Sequence, residues 1–141
     1  MNDLQNIVAD LRAEGDELYG FLRNLKAADW AGVTRFKAWT IDDVVAHLYF
    51  GDYLGVTSHR SAPEFLAFMA QVKAAGEPLV TYTRKWLNNA SGAPLLEKWR
   101  RQFTDMCDLF AASDPDLRLT WAGPDMGIKM FTTARLMETW A

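Results

Sequence analysis

Two ionisable side chains stand out because each falls among apolar residues spaced for one face of a helix. His47 follows Val44 by three residues and precedes Phe50 by three, and Glu138 lies seven residues after Phe131. An imidazole or a carboxylate on a core-facing stripe is unfavourable unless it is paired or bound to a cation. Since facing side chains on bundle helices build metal sites, His47 and Glu138 are candidate metal ligands.

Each of these residues also has a purely structural interpretation. A lone histidine such as His47 is more often a buried side chain with one hydrogen bond. Glu138 taken alone is better explained by an ion pair with Arg135, three residues earlier. We expect His59 to lie at the exposed end of its helix without a role. Cys107, in the middle of a predicted helix, is interpreted as a packing residue or a half-exposed thiol.

Other chemistries have no support in the sequence. The chain contains no glycine-rich phosphate loop, no nucleophile-elbow motif and no His–Cys pair at metal-binding spacing. The net charge is −3 and the basic residues are scattered, which argues against a nucleic-acid-binding surface. No apolar run approaches the roughly 20 residues needed to cross a bilayer. The single cysteine excludes an internal disulfide, and we expect a cytoplasmic protein.

Hydrophobic periodicity predicts an all-α fold. With 141 residues, half of them hydrophobic, the chain is expected to form one domain over residues 1–141. Thr40, with Asp43 three residues later, marks a helix start. No segment shows sustained strand alternation. We therefore predict an up-and-down four-helix bundle with short extra helices, whose helices cover about residues 3–25, 40–57, 64–75, 79–90, 94–112 and 129 onward.

Two sequence motifs carry a resemblance to a known family. "WTIDDVVAHL", which contains His47, resembles the second-helix signature of the mycothiol-dependent maleylpyruvate isomerase family, in its N-terminal metal-binding domain. "TARLMETWA", which contains Glu138, resembles the later helix of that family, and "WAGPDM" resembles the loop before it. The family belongs to the DinB-like group of metal-binding four-helix bundles, so the resemblance implies that fold.

The resemblance also implies a set of metal ligands. Members of the family hold a divalent metal, here expected to be zinc, with a His of the second helix and the Glu and His of an E-x-x-x-H motif. These positions correspond to His47, Glu138 and one position beyond Ala141. Because no helix stop signal follows Met130, we expect the last helix to be unfinished and the chain to be a fragment. Arg135 is expected either to bind an anionic substrate or to orient Glu138.

The implied function is that of a thiol-dependent isomerase or S-transferase-like enzyme acting on a small molecule. Three protein ligands leave a coordination position open, where a metal can activate a bound water or thiol. A low-molecular-weight thiol would be the second cofactor. The alternative is a helical bundle that binds a metal or a small ligand without catalysis. We expect no nucleic-acid or membrane partner, and a homodimer is left open.

Overall fold

The all-α bundle is confirmed by a computed structural model, which describes residues 1–140 apart from the side chain of Trp140. This part of the chain forms six α-helices: α1 (Asp3–Leu22), α2 (Ile41–Arg60), α3 (Ala62–Ala75), α4 (Leu79–Trp86), α5 (Gly92–Ala111) and α6 (Ile128–Trp140). None of the helices in residues 1–140 is long and apolar enough to cross a bilayer. The predicted unfinished helix end concerns residue 141 and lies outside the described residues.

Short elements fill the connections between the helices. A 3-10 helix, Ala27–Ala31, follows α1. Before α6, strands β1 (Arg118–Leu119) and β2 (Met126–Gly127) form a two-residue antiparallel ladder in which Arg118 pairs with Gly127. This ladder lies in the predicted long loop and is too short to build a sheet, as the sequence indicated.

The four helices α1, α2, α5 and α6 form the bundle. The α1 and α5 helices run antiparallel, since Arg12 in the middle of α1 pairs with Asp108 near the end of α5, while Tyr19 near the end of α1 donates to Glu97 near the start of α5. The α2 and α5 helices run parallel. The Gly92 N–H at the start of α5 donates to Asp42 at the start of α2, and His59 contacts Ser113 at the opposite ends.

This parallel pair departs from the up-and-down order that we predicted. In a simple alternating bundle, consecutive long helices would run in opposite directions. Here α3 and α4 carry the chain back to the end of the bundle where α2 began, so α5 starts beside the start of α2. We expected the first, second, fifth and last helices to be the long ones, and this is correct for α1, α2 and α5, whereas α6 over its described residues is one residue shorter than α3.

Local sequence explains most helix boundaries. The Thr40 hydroxyl accepts from the Asp43 N–H at 3.1 Å while the Asp43 carboxylate accepts from the Thr40 N–H at 3.0 Å, which confirms the predicted start of α2. The α4 helix ends at Trp86, earlier than predicted. Asn88 and Asn89 adopt left-handed backbone conformations with φ of 54° and 56°, and these end the helix.

The core is built mainly from aromatic and aliphatic side chains of the four bundle helices. Trp99, Phe103 and Phe110 of α5 are each 1% exposed or less, and Phe131 of α6 packs against Phe110 with ring centroids 5.8 Å apart. A second aromatic cluster lies where α3 and α4 cover α2. The α6 helix packs mainly against α1 and also meets α2, and this second contact positions the candidate site.

Candidate functional site

His47 lies in the second turn of α2, at the end of the bundle where that helix begins. The Thr40–Asp43 capping box sets the start of α2 and thereby the direction of the His47 side chain. The imidazole packs beside the Trp39 indole, with ring centroids 5.3 Å apart. Its side chain is 30% exposed, so His47 is neither a core residue nor a free surface residue.

Glu138 of α6 meets His47 across the bundle. Its Oε2 atom lies 3.3 Å from His47 Nε2, although 91 residues separate the two in the sequence. The α6 helix runs antiparallel to α2, since Arg135 contacts Asp52 one turn further along. The structure thus brings the two predicted ligands together. It corrects their expected setting, because the Glu138 side chain is 51% exposed and the pair opens to solvent instead of lying inside the bundle.

Arg135, for which we expected either anion binding or orientation of Glu138, makes its side-chain contacts with α2. Its guanidinium points into the bundle, where Nε donates to Asp52 Oδ1 at 2.9 Å and Nη2 donates to the Leu48 carbonyl at 3.3 Å. The side chain is only 8% exposed. A Cβ atom at Gly51 would clash with this guanidinium, so the glycine makes room for it. Arg135 therefore joins α6 to α2 behind the His47–Glu138 pair, and Glu138 pairs with His47 instead of Arg135.

Asp52 is the partner that sequence reasoning missed. It is 1% exposed, and burial raises the pKa of its carboxyl group, while the positive charge of Arg135 and its hydrogen bond oppose that rise. The only signal in the sequence was a carboxylate on the core-facing side of α2 next to a glycine. A carboxylate at such a position requires a buried cation, and Arg135 supplies it.

A hairpin-like turn over residues 33–40 forms one wall of the site. Val33 and Thr40 are bridged in antiparallel fashion, and the Thr34 N–H donates to the Trp39 carbonyl at 2.7 Å. Lys37 and Ala38 in the turn have left-handed backbone conformations, with φ of 50° and 57°. Non-glycine residues rarely adopt this conformation, and clustering of such residues beside a cleft is typical of functional sites.

A cleft of about 680 Å³ opens beside the His47–Glu138 pair. Its walls are mostly apolar and comprise Phe36, Trp39, Val44, Leu48, Ala134 and Met137. Its polar side chains are His47, Glu138 and Thr34. The volume is in the range of small-molecule sites, and the polar pair lies where a ligand would be oriented.

Comparison with known families and proteins identifies the family of the chain. The family described as "Mycothiol maleylpyruvate isomerase N-terminal domain" matches residues 11–141. The chain belongs to that family. This maleylpyruvate isomerase N-terminal domain is also similar to an uncharacterized protein of Mycobacterium tuberculosis, found in strains CDC 1551 and H37Rv, with 35% identity over 141 residues.

The similarity to the mycobacterial proteins covers the whole of this domain but only part of those proteins. All of the chain is aligned, and it spans 55% of the length of each curated relative. No solved structure matches the chain significantly. The family is therefore established by sequence, and the site is described by this structure.

The donor atoms of this family member suit a divalent metal. An imidazole nitrogen and a carboxylate oxygen are common zinc ligands, and two ligands of a tetrahedral zinc site with bonds of about 2.0–2.1 Å lie about 3.3–3.4 Å apart. The observed separation is 3.3 Å, longer than the roughly 2.7–2.9 Å of a charge-assisted hydrogen bond. Within residues 1–140, no group of three or more His, Cys, Asp or Glu side chains comes together to hold a metal.

The contacts of His59 join two helices and lie outside the candidate site. Its Nε2 lies 2.8 Å from the Ser113 hydroxyl, which itself donates to the Leu109 carbonyl, so the histidine N–H is the donor. The imidazole stacks on Phe110, and burial lowers its pKa. His59 thus ties the end of α2 to the end of α5, away from the cleft.

Cys107 is fully buried in α5, and we expect its thiol to be unreactive in the folded protein. Burial raises the pKa of Cys107 from 9.0 to about 12. At about pH 8 the folded domain should then contain about 1,000-fold less thiolate than the unfolded chain, and labelling by a disulfide reagent should slow accordingly. The same reaction in guanidinium chloride is the control. Rapid labelling under native conditions would contradict this placement.

Proposed function

We propose that this domain binds a divalent metal through His47 and Glu138 and serves a thiol-dependent isomerase or transferase reaction on a small molecule. The observation that supports the proposal most directly is the 3.3 Å separation of His47 Nε2 and Glu138 Oε2 in an accessible cleft. Zinc is the expected metal, because the pair combines a nitrogen and an oxygen donor at a tetrahedral ligand spacing. The family described as mycothiol maleylpyruvate isomerase N-terminal domain supports the reaction class.

Other residues of the domain would position the two proposed ligands, His47 and Glu138. The α2 capping box and the Trp39 ring hold His47, and the buried Arg135–Asp52 pair holds α6 against α2 so that Glu138 faces the imidazole. A metal with an open coordination position would lower the pKa of a bound thiol or water toward neutrality. The apolar walls of the cleft exclude part of the surrounding water, which strengthens electrostatic interactions with a reacting group.

Removing either ligand should weaken metal binding strongly. Loss of a metal-orienting side chain typically reduces affinity about 10- to 100-fold, and we expect at least that reduction for His47→Ala and Glu138→Gln. The measurement is calorimetric titration of zinc into chelator-treated protein near pH 7. His59→Gln is the matched control, since this second histidine lies against Ser113 and should leave zinc affinity unchanged.

The same series distinguishes metal binding from thiol chemistry. Cobalt(II) can replace zinc, and titration of the cobalt form with 2-mercaptoethanol should produce a sulfur-to-cobalt charge-transfer band that His47→Ala lacks. Zinc binding without that band would favour the non-catalytic, metal-binding alternative. Equal loss of zinc affinity in His59→Gln and His47→Ala, or no zinc binding by the unaltered domain, would overturn the proposal.

A further inference from the structure

One side of α6 presents a strip of apolar side chains to solvent. Met130 and Met137 are seven residues apart, so they lie on the same side of the helix, and they are 65% and 61% exposed. Thr133 and Ala134 lie between them and are also exposed. Phe36, which is 56% exposed, continues the apolar surface beside Met137. A contiguous strip of this kind, unlike a single exposed residue, is typical of a contact surface between proteins.

Charges of opposite sign border the two long sides of this strip. On the side of α6 that packs against α1, Asp10 and Glu14 line a shallow groove together with Met137. On the opposite side, the Nζ of Lys37 lies 5.3 Å from the ring centroid of Phe36. Within residues 1–140, none of Asp10, Glu14 and Lys37 takes part in an ion pair. The strip therefore has an acidic border and a basic border whose charges are available to a partner.

Both charged borders lie at the level of Met137 along α6. Met137 lines the groove that holds Asp10 and Glu14, and it also lines the cleft together with Phe36. A two-fold axis parallel to α6 would keep this level and bring the acidic border of one copy to the basic border of a second copy. An antiparallel arrangement of two α6 helices would instead place the borders at opposite ends of the contact. The charge pattern therefore fits a second copy of this chain in the parallel arrangement.

We infer that the domain forms a two-fold dimer in which the α6 helices of two copies pack side by side and parallel. Met130 and Met137 each meet their own counterpart in the second copy, because their spacing of seven residues is that of a parallel coiled coil. Lys37 of each copy meets Asp10 and Glu14 of the other, which gives two equivalent clusters of opposite charge at the rim of the contact. An apolar centre with a polar rim is the usual composition of a protein interface.

The dimer contact borders the cleft without covering its polar pair. Glu138 follows Met137 by one residue, so it lies about 100° further around α6, where it faces His47 of α2. The contact surface and the candidate metal ligands are therefore on different sides of the same helix. The inference does not rest on the proposed function, because the strip and its charged borders are present whether or not a metal binds.

Sedimentation equilibrium of the chelator-treated domain at neutral pH tests the association. The unaltered domain should show a mass that approaches twice that of the monomer and falls on dilution. Met130→Glu should raise the dimer Kd about 100-fold or more, because the two-fold axis would bring two carboxylates together in an apolar contact. Leu66→Glu is the matched control, since Leu66 is 52% exposed on α3, outside the strip, and should leave the Kd unchanged.

Two outcomes of this measurement would contradict the dimer. A monomer at concentrations up to about 1 mM would overturn the inference and leave the strip for a different protein partner. Equal effects of Met130→Glu and Leu66→Glu would show that association does not use α6. Circular dichroism of both variants should match that of the unaltered domain, because both substitutions are at exposed positions.

Charge reversal tests the parallel arrangement. Lys37→Glu places a carboxylate opposite Asp10 and Glu14 of the second copy and should weaken the dimer about tenfold or more, because symmetry repeats the change at both rims. Adding Glu14→Lys to the same chain restores an opposite charge and should recover much of the loss. Additive weakening by the two substitutions, with no recovery, would overturn the parallel arrangement.

Failure of the metal proposal remains distinguishable from failure of this inference. His47→Ala should leave the dimer Kd unchanged, and Met130→Glu should leave zinc affinity unchanged, because the two surfaces are separate. If zinc fails to bind but the domain dimerises and Met130→Glu abolishes the dimer, the inference stands without the metal. If zinc binds through His47 and Glu138 but the domain stays monomeric, the dimer is wrong.

Discussion

Replacing Arg135 with Met should lower the free energy of unfolding by about 3–5 kcal/mol, because it leaves the buried carboxylate of Asp52 without its cation. Both side chains of the pair are buried, with exposed fractions of 8% and 1%. The guanidinium also donates to the Leu48 carbonyl, so its removal leaves a second interior acceptor without that donor. Chemical denaturation followed by circular dichroism would measure the loss.

The stability that Arg135→Met loses relative to the unaltered domain should grow as the pH rises. Burial already raises the pKa of Asp52 above its ordinary value of 3.8, and Arg135 opposes that rise. Without Arg135 the folded pKa of Asp52 lies higher still, so the folded variant holds a proton that the unfolded chain releases. Its stability should therefore fall, relative to the unaltered domain, as the pH increases from 3.8 through the folded pKa of Asp52.

An exposed ion pair provides the matched control for Arg135→Met. Arg60 and Glu64 form a pair on the surface, with side chains 55% and 58% exposed. Arg60→Met should change the free energy of unfolding by less than about 0.5 kcal/mol. Replacing both buried partners, Asp52→Leu with Arg135→Met, should recover much of the loss. Similar effects of Arg135→Met and Arg60→Met would show that the buried pair does not hold α6 to α2.

Phe131→Ala should also lower the free energy of unfolding by about 3–5 kcal/mol, because it opens a cavity between α6 and the core. Phe131 is 2% exposed, and its ring lies 5.8 Å from that of Phe110 and 5.2 Å from that of Trp121. Phe21→Ala is the matched control, since Phe21 is 65% exposed. Phe21→Ala should lower the free energy of unfolding by less than about 1 kcal/mol.

A double-mutant cycle tests the contact between Phe131 and Gly55. A Cβ atom at Gly55 would clash with the Phe131 ring, so Gly55→Ala alone should destabilise the domain by about 1–3 kcal/mol. In the Phe131→Ala background the added methyl group enters the new cavity, and the penalty should disappear or reverse. Additive effects in the cycle would mean that α2 and α6 do not meet at these two residues.

The candidate site was predictable in part because its two polar residues break a local pattern. His47 and Glu138 interrupt apolar helix faces, and the motifs around them carry the family resemblance, so the sequence was enough to predict that they pair. The partner of Arg135 could not be identified in this way. An arginine three residues before Glu138 suggests a local pair, and nothing in the local sequence indicates that Asp52, 83 residues away, accepts its hydrogen bond instead.

The remaining walls of the cleft depend on contacts between distant segments. Phe36 and Trp39 lie in a turn without a helical period, so periodicity could not assign them to a site. Their position follows from the left-handed backbone of Lys37 and Ala38 and from the packing of the turn against the start of α2. Such turn conformations are set by local hydrogen bonds that residue types alone predict weakly.

By itself the sequence determined the helices, the capped start of α2, the all-α class and the two candidate ligands, because periodicity and capping are local properties of the chain. Only the tertiary structure decided that α2 and α5 run parallel, that Arg135 is buried against Asp52, and that the His47–Glu138 pair opens to solvent. These features follow from which helix faces meet. Each depends on the packing of segments far apart in the sequence, and no local pattern encodes that packing.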